Sequence, residues 1–338
     1  RPDDCHLHLR DGVALQSVVS YSARQFGRAI VMPNLRPPVT TTEHARQYRQ
    51  RIISALSAES GFEPLMTLYL TDNTPPAEIR RAKESGIVCG VKLYPAGATT
   101  NSDEGVTCLT CCMKTLEAMQ SYGIPLLVHG EVTDPAVDVF DREAVFVDRV
   151  LIPLRRDLPG LKIVMEHVTT AVAAQYILHA EGHIGATVTP HHLLLNRNAL
   201  FDGGLCPHRY CLPILKPEED RRALVAIVCG GHPRFFAGTD SAPHAKTAKE
   251  AFCGAAGCYT ALHAVELYAG VFDAQNALEY FDAFMSRNGA AFYGLPANRG
   301  CITLERRAWT VPGALPFGGE TVVPLMAGKD LAWRLAVD

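Results

Sequence analysis

Lys162-Ile163-Val164-Met165-Glu166-His167, a helical pattern over residues 171–181, then Gly185-Ala186-Thr187-Val188-Thr189: this stretch decides the fold. Two short apolar, β-branched runs are joined by a helix. Such a crossover returns the chain to the edge it left, so the strands run parallel. The unit recurs on both sides. Further strand patterns lie at residues 5–9, 29–32, 65–70, 88–93, 125–129 and 235–240, with helical patterns at 43–57, 76–85, 109–122 and 218–229. Eight strands in a chain of 338 residues predict an α/β fold, a (β/α)8 TIM barrel. A doubly wound open sheet is the competing arrangement. Residues 1–300 form the expected barrel domain, with two further helices at 249–268 and 274–293. Residues 301–338, rich in Gly and Pro, are expected as a short C-terminal appendage packed on the barrel, because so short a segment rarely builds its own core.

Composition narrows the function. The chain is 48% hydrophobic, and 32 Lys plus Arg face 35 Asp plus Glu, for a net charge of −3. This is a globular composition with no block of like charge, which argues against nucleic-acid and membrane-surface partners. No apolar run reaches the ~18 residues of a membrane span, and no signal-peptide pattern opens the chain. The eleven cysteines are odd in number and scattered, so a reducing compartment is expected. The expected location is cytoplasmic, with an organellar one left open. Cys108, Cys111 and Cys112 lack a second ligand pair at zinc-finger spacing and read as buried helix thiols.

Polar residues interrupt the apolar strands at a consistent place. His6 and His8 share one face of the first strand, Lys92 lies near the end of the fourth, and His129, His167 and Asp240 end the fifth, sixth and eighth. Barrel enzymes build their sites at these C-terminal strand ends. Taken singly, each histidine is more simply a hydrogen-bonded structural residue, and Asp240 could cap a helix. Together they form a polar cluster that needs a cationic partner, and five conventional ligands exceed one tetrahedral site. A zinc pair is the natural reading. Burying the Lys92 ammonium is costly, whereas its neutral amine can add carbon dioxide. The resulting carbamate has two oxygens able to bridge two cations.

These residues lie in stretches that closely resemble the dihydroorotases, in the short bacterial-type branch of the amidohydrolase superfamily. The matching stretches run from Asp4-Cys5-His6-Leu7-His8-Leu9-Arg10 through Val31-Met32-Pro33-Asn34, Gly90-Val91-Lys92-Leu93-Tyr94 and Val128-His129-Gly130-Glu131. They continue through Glu166-His167, Thr189-Pro190-His191-His192 and Gly238-Thr239-Asp240-Ser241-Ala242-Pro243-His244. The resemblance implies zinc-dependent, reversible conversion of N-carbamoyl-L-aspartate to L-dihydroorotate in pyrimidine biosynthesis. It implies one zinc on His6, His8 and Asp240, a second on His129 and His167, and N6-carboxylated Lys92 bridging them. Asp240 would also be the catalytic proton carrier. Arg10, Asn34 and His244 would grip the substrate carboxylate, and backbone groups at Leu212 and Ala256 would meet the ring amide. Thr99 and Thr100 would belong to a loop that closes over substrate. A homodimer is the family's expected assembly. His191 and His192 are assigned a structural role behind the ligands.

Two other readings remain. One is a dihydropyrimidinase, hydantoinase or allantoinase type of cyclic-amide hydrolase, disfavoured by Arg10 and Asn34, which suit a carboxylate. The other is a non-catalytic scaffold relative, which would be expected to have lost ligands.

Overall fold

The computed structural model describes residues 1–336; Val337 and Asp338, the end of the expected tail, lie outside them. Eight strands follow one another around a barrel, each parallel to the next. They are β1 (Asp3–Leu7), β2 (Arg28–Val31), β3 (Glu63–Tyr69), β4 (Val88–Leu93), β5 (Leu126–His129), β6 (Ile163–Glu166), β7 (Ile184–Val188) and β8 (Phe235–Ala237). A parallel bridge between Leu7 and Ser241 returns β8 to β1. The Asp240 amide donates to the His6 carbonyl at 2.9 Å and the His8 amide to the Ser241 carbonyl at 3.2 Å, so the barrel is nearly closed. This is the expected (β/α)8 arrangement and excludes the open sheet.

Every residue of β1, β2, β5, β6, β7 and β8 is buried, as helices on the outside and side chains in the lumen require. Cys5, Ile30, Met32, Leu127, Val164 and Phe236 form an apolar cluster inside the barrel, separate from the larger strand–helix core. The lumen is tight at Gly238. A Cβ there would lie 2.6 Å from Thr187 Cβ and 3.0 Å from His6 Cβ, closer than real side chains approach.

Local sequence explains most helix ends. Thr41 and Thr170 accept from the amides of His44 and Ala173, capping helices Thr42–Ser54 and Ala171–His179. Gly86 and Gly123 end Pro76–Ser85 and Leu109–Tyr122 in the left-handed conformation.

Several expectations need correction. Residues 249–268 are not one helix. A short helix ends at Lys249, the next is Ala264–Ala274, and an irregular loop lies between. Gly254 and Gly257 break the pattern: a Cβ on Gly254 would meet the Lys249 carbonyl at 2.6 Å, and Gly257 has φ +144°. The helical pattern at 274–293 begins later, at Leu278. Only Cys112 of the three clustered cysteines is buried; Cys108 and Cys111 are exposed because they precede or face away from the stripe of Cys112, Leu116 and Met119.

Beyond residue 300, β9 (Leu304–Thr310) pairs antiparallel with β12 (Asp330–Leu335), and β10 (Leu315–Phe317) with β11 (Glu320–Val322). The Leu325 amide donates to Tyr259 O at 2.8 Å, and His263 Nε2 lies 2.9 Å from Leu325 O, so this segment rests on the loop after β8. No helix among the described residues is long and apolar enough to cross a membrane.

Candidate metal centre and anion pocket

The C-terminal rim of the barrel gathers the residues singled out by sequence. His129 is the last residue of β5 and Lys92 lies within β4. His8, His167 and Asp240 lie just past their strands rather than on them. His167 (φ +42°), Asp240 (φ +44°) and Arg10 (φ +59°) adopt the left-handed backbone that side chains disfavour. Three such residues at one rim indicate backbone strain held by the surrounding fold. The ladder between β1 and β2 is interrupted between Asp4 and Leu7, and the His6 amide turns to Asp4 Oδ1 at 3.1 Å. Asp4 also accepts from the Thr239 amide (2.8 Å) and hydroxyl (2.6 Å), locking β1 to the end of β8 beside Asp240.

The imidazoles are oriented from behind. His6 Nδ1 lies 2.8 Å from Glu166 Oε2 and His8 Nδ1 2.8 Å from Asn34 Oδ1. The Asn34 amide donates to Thr100 O at 3.1 Å, which fixes its oxygen toward His8. Each Nδ1 therefore carries the proton, and each Nε2 presents a lone pair inward. His8 Nε2 is 2.9 Å and His6 Nε2 3.4 Å from Asp240 Oδ1. Lone pairs facing a carboxylate oxygen at this range repel unless a cation intervenes or the rings take a second proton. Burial opposes that proton, pushing His8 down to about 4 although its contact with Asp240 acts the other way. Burial alone would raise Asp240, and only a second proton on the rings, through a hydrogen bond from His8 and the fields of His6, His8 and His191, would bring its carboxyl below the usual range.

His129 Nε2 lies 2.7 Å from Glu131 Oε2, and its ring centroid is 4.8 Å from that of His167, which is 5.0 Å from that of His6. Lys92 is fully buried, with Nζ 5.0 Å from the Tyr94 ring centroid and no hydrogen-bond partner. Burial pushes its amine down to about 8, against the opposing fields of Glu166 and Asp240. His6 Nε2 and His167 Nδ1 are likewise buried without partners. Donor atoms of His6, His8 and Asp240 lie within 4.8 Å of one another, near the span of a shell with ligands ~2 Å from an ion. These inward lone pairs, orphaned nitrogens and a buried amine are the donor chemistry a metal centre requires.

Above this cluster, the pocket is lined by Arg10, Asn34, Tyr94, Thr99, Thr100, Leu212, Ala242, Ala256 and Gly257 as well as by the imidazoles. Arg10 donates through Nε to Pro243 O and through Nη2 to His244 Nε2, both at 2.9 Å. Burial and the neighbouring Arg10 hold His244 neutral. Thr100 Oγ1 reaches Ala256 O at 3.4 Å and Asn101 Nδ2 donates to Asn34 O at 2.9 Å, so the 97–102 loop lies across the pocket.

The structure thus brings together His6, His8, Lys92, His129, His167 and Asp240, and sets Arg10, Asn34, Leu212, His244, Ala256, Thr99 and Thr100 around them. Sequence reading left Glu166, Glu131 and Tyr94 without a role. Strand alternation could have found the first, since Glu166 shares the inward parity of Val164. His192 is engaged behind the pocket, with Nδ1 2.8 Å from Thr189 Oγ1 and Nε2 2.9 Å from Pro213 O. Both nitrogens of buried His191 lack partners.

Comparison with known proteins agrees with this arrangement. Residues 4–328 match the amidohydrolase family. A dihydroorotase of Ralstonia pickettii (strain 12J) is 66% identical over 334 residues, covering 99% of this chain and 97% of the relative. The crystal structure of a dihydroorotase from Campylobacter jejuni superposes with a TM-score of 0.91 at 38% identity, over 100% of this chain and 96% of that one. A dihydroorotase from Saccharomyces cerevisiae, solved in complex with 5-fluoroorotic acid, gives a TM-score of 0.90 at 31% identity, over 99% and 96%. Strand order, rim chemistry and near-full-length similarity converge: the chain belongs to the amidohydrolase family and, within it, to the dihydroorotases.

Proposed function

We propose that this chain interconverts L-dihydroorotate and N-carbamoyl-L-aspartate at two zinc ions. His6, His8 and Asp240 would hold one, His129 and His167 the other, with Lys92, carboxylated on Nζ, between them. The observation that carries the reading is the set of inward lone pairs at His6 and His8 opposite Asp240, beside a wall formed by Arg10, His244 and Asn34. Zinc, when bound, supplies an acidified water, with a pKa lowered from ~15.7 to about 7, and a positive field on the ring carbonyl.

The chain's own residues do the rest. Glu166 and Asn34 keep the Nδ1 protons of His6 and His8 in place, so the ring lone pairs stay directed at the centre. Asp240 Oδ1 faces the two imidazoles, leaving Oδ2 to carry the proton. In hydrolysis it receives that proton from the attacking water and delivers it to the ring nitrogen as the C–N bond breaks; in ring closure the transfers reverse. The Arg10 guanidinium offers a planar fork to the substrate carboxylate, assisted by Asn34 and by neutral His244. Backbone groups of Leu212 and Ala256 meet the ring amide, and the loop bearing Thr99 and Thr100 excludes water. A homodimer accompanies this reading; a monomeric mass in solution would remove that part alone. The barrel of residues 1–300 is read as the catalytic unit and residues 301–338 as its packed appendage.

The deciding experiment compares turnover of L-dihydroorotate with that of hydantoin and dihydrouracil, alongside zinc analysis of the purified chain. Two zinc ions per chain and a preference for dihydroorotate are expected. Preference for the other two substrates would reject the assignment, and an inert chain after zinc and bicarbonate are supplied would point to a non-catalytic relative.

A further inference from the structure

Lys249 is a buried cation whose protons all go to backbone. It is 3% exposed, at the end of helix Lys246–Lys249, and its Nζ donates to Tyr210 O at 2.8 Å, Ala255 O at 2.7 Å and Gly257 O at 2.7 Å. Burial pushes the amine down from its usual range. A neutral amine has only two N–H bonds, however, and three carbonyl acceptors require the ammonium. Burying an unpaired charge is unfavourable, so the three contacts must jointly offset the loss of water.

The position of those carbonyls gives the contacts their consequence. Tyr210 stands two residues before Leu212, and Ala255 and Gly257 flank Ala256. Leu212, Ala256 and Gly257 line the pocket. The Gly257 amide also donates to Tyr210 O at 2.9 Å, and Ala256 O receives the Thr100 hydroxyl. There is no slack behind the segment: a Cβ on Gly257 would lie 2.7 Å from Ala242 Cβ. One ammonium thus joins two backbone segments, far apart in sequence, at the wall facing the imidazoles.

We infer that Lys249 is a positioning residue: its ammonium sets the separation of segments 210–212 and 255–257, and so governs affinity for the substrate ring rather than the chemistry at the metal centre. The identity of that ring rests on the proposed dihydroorotase reading.

The test uses the zinc-loaded full chain. Lys249→Met keeps much of the side chain's length and removes every donor; Lys249→Arg keeps charge and donors. Lys249→Met is expected to raise KM for L-dihydroorotate about tenfold, the scale of one charge-assisted hydrogen bond, with kcat within about threefold of wild type. Zinc content and the Kd of succinate, which offers carboxylates without a ring amide, stay at wild-type values. Lys249→Arg recovers part of the KM. If Lys249→Met does not fold, Lys249→Gln is judged by the same ratios. An unmoved KM overturns the inference, as does a joint fall in kcat, zinc content and succinate affinity, which marks a purely structural staple. Wild-type protein that neither binds nor turns over dihydroorotate would sink the functional reading and this inference together; an unmoved variant beside an active wild type sinks this one alone.

Discussion

At Lys92 the fold disfavours the ammonium, because a fully buried charge with no hydrogen-bond partner has nothing to replace its hydration. Removing the amine should remove the bridge. Lys92→Ala is expected to lose zinc and turnover together, with partial recovery on adding short carboxylates such as acetate; undiminished turnover would contradict the carbamate role. The pH dependence has a definite sign. With the amine held near 8, protonation below that value blocks addition of carbon dioxide. At fixed dissolved carbon dioxide, reconstitution of metal-free protein should quicken about tenfold per pH unit up to that value and level off above it. A flat profile would place carboxylation elsewhere. Arg10 makes a separate claim. Arg10→Ala should weaken carboxylate binding by about 1.5–3 kcal/mol, read as a rise in KM, since it removes a charge-assisted contact. Unchanged KM and kcat would put Arg10 outside the pocket.

At the scale of elements, the end of β6 depends on a residue from a different helix. Glu143, in helix Arg142–Phe146, accepts from the amides of Thr169 (3.0 Å) and Thr170 (2.7 Å) and from both hydroxyls (2.8 and 2.6 Å). These threonines follow His167, and Thr170 caps the next helix. Glu143→Ala leaves buried donors unpaired and should lower unfolding free energy by about 3 kcal/mol in urea titration. It should also lower zinc content, because His167 loses its support. A variant with normal stability and zinc would show that β6 holds His167 unaided. This contact was not legible in the sequence, because no periodicity encodes a pairing between residues 26 apart. Strand alternation, by contrast, is written in the sequence: Leu127 and His129 share one parity, and Phe236, Gly238 and Asp240 another. It brings His6 and His8 to one side even at β1, where the ladder is interrupted between Asp4 and Leu7. The alanine-rich stretch before residue 264 resembles a helix until the conformations of Gly254 and Gly257 are considered, and that loop carries Ala256.

For the whole molecule, the question is what closes the barrel. Neighbouring strands from β1 to β8 share ladders of three or four residue pairs, whereas β8 and β1 meet through one bridge, two backbone hydrogen bonds and the contacts of Thr239 with Asp4. The proposed ligands straddle this seam, with His6 and His8 on one side and Asp240 on the other. A metal bound there joins the first and last strands directly, and binding to the folded state alone adds stability with the logarithm of free metal, about 4 kcal/mol at a thousandfold excess over Kd. Chelation should therefore lower the unfolding midpoint and act locally first. Amide exchange at His8 and Asp240, whose hydrogen bonds form the seam, is expected to accelerate before that in β3, β4 and β5. Exchange that rises evenly around the barrel, or a midpoint indifferent to free zinc, would show that the strands close without help from the ligands and that the lone pairs at the rim are satisfied in some other way.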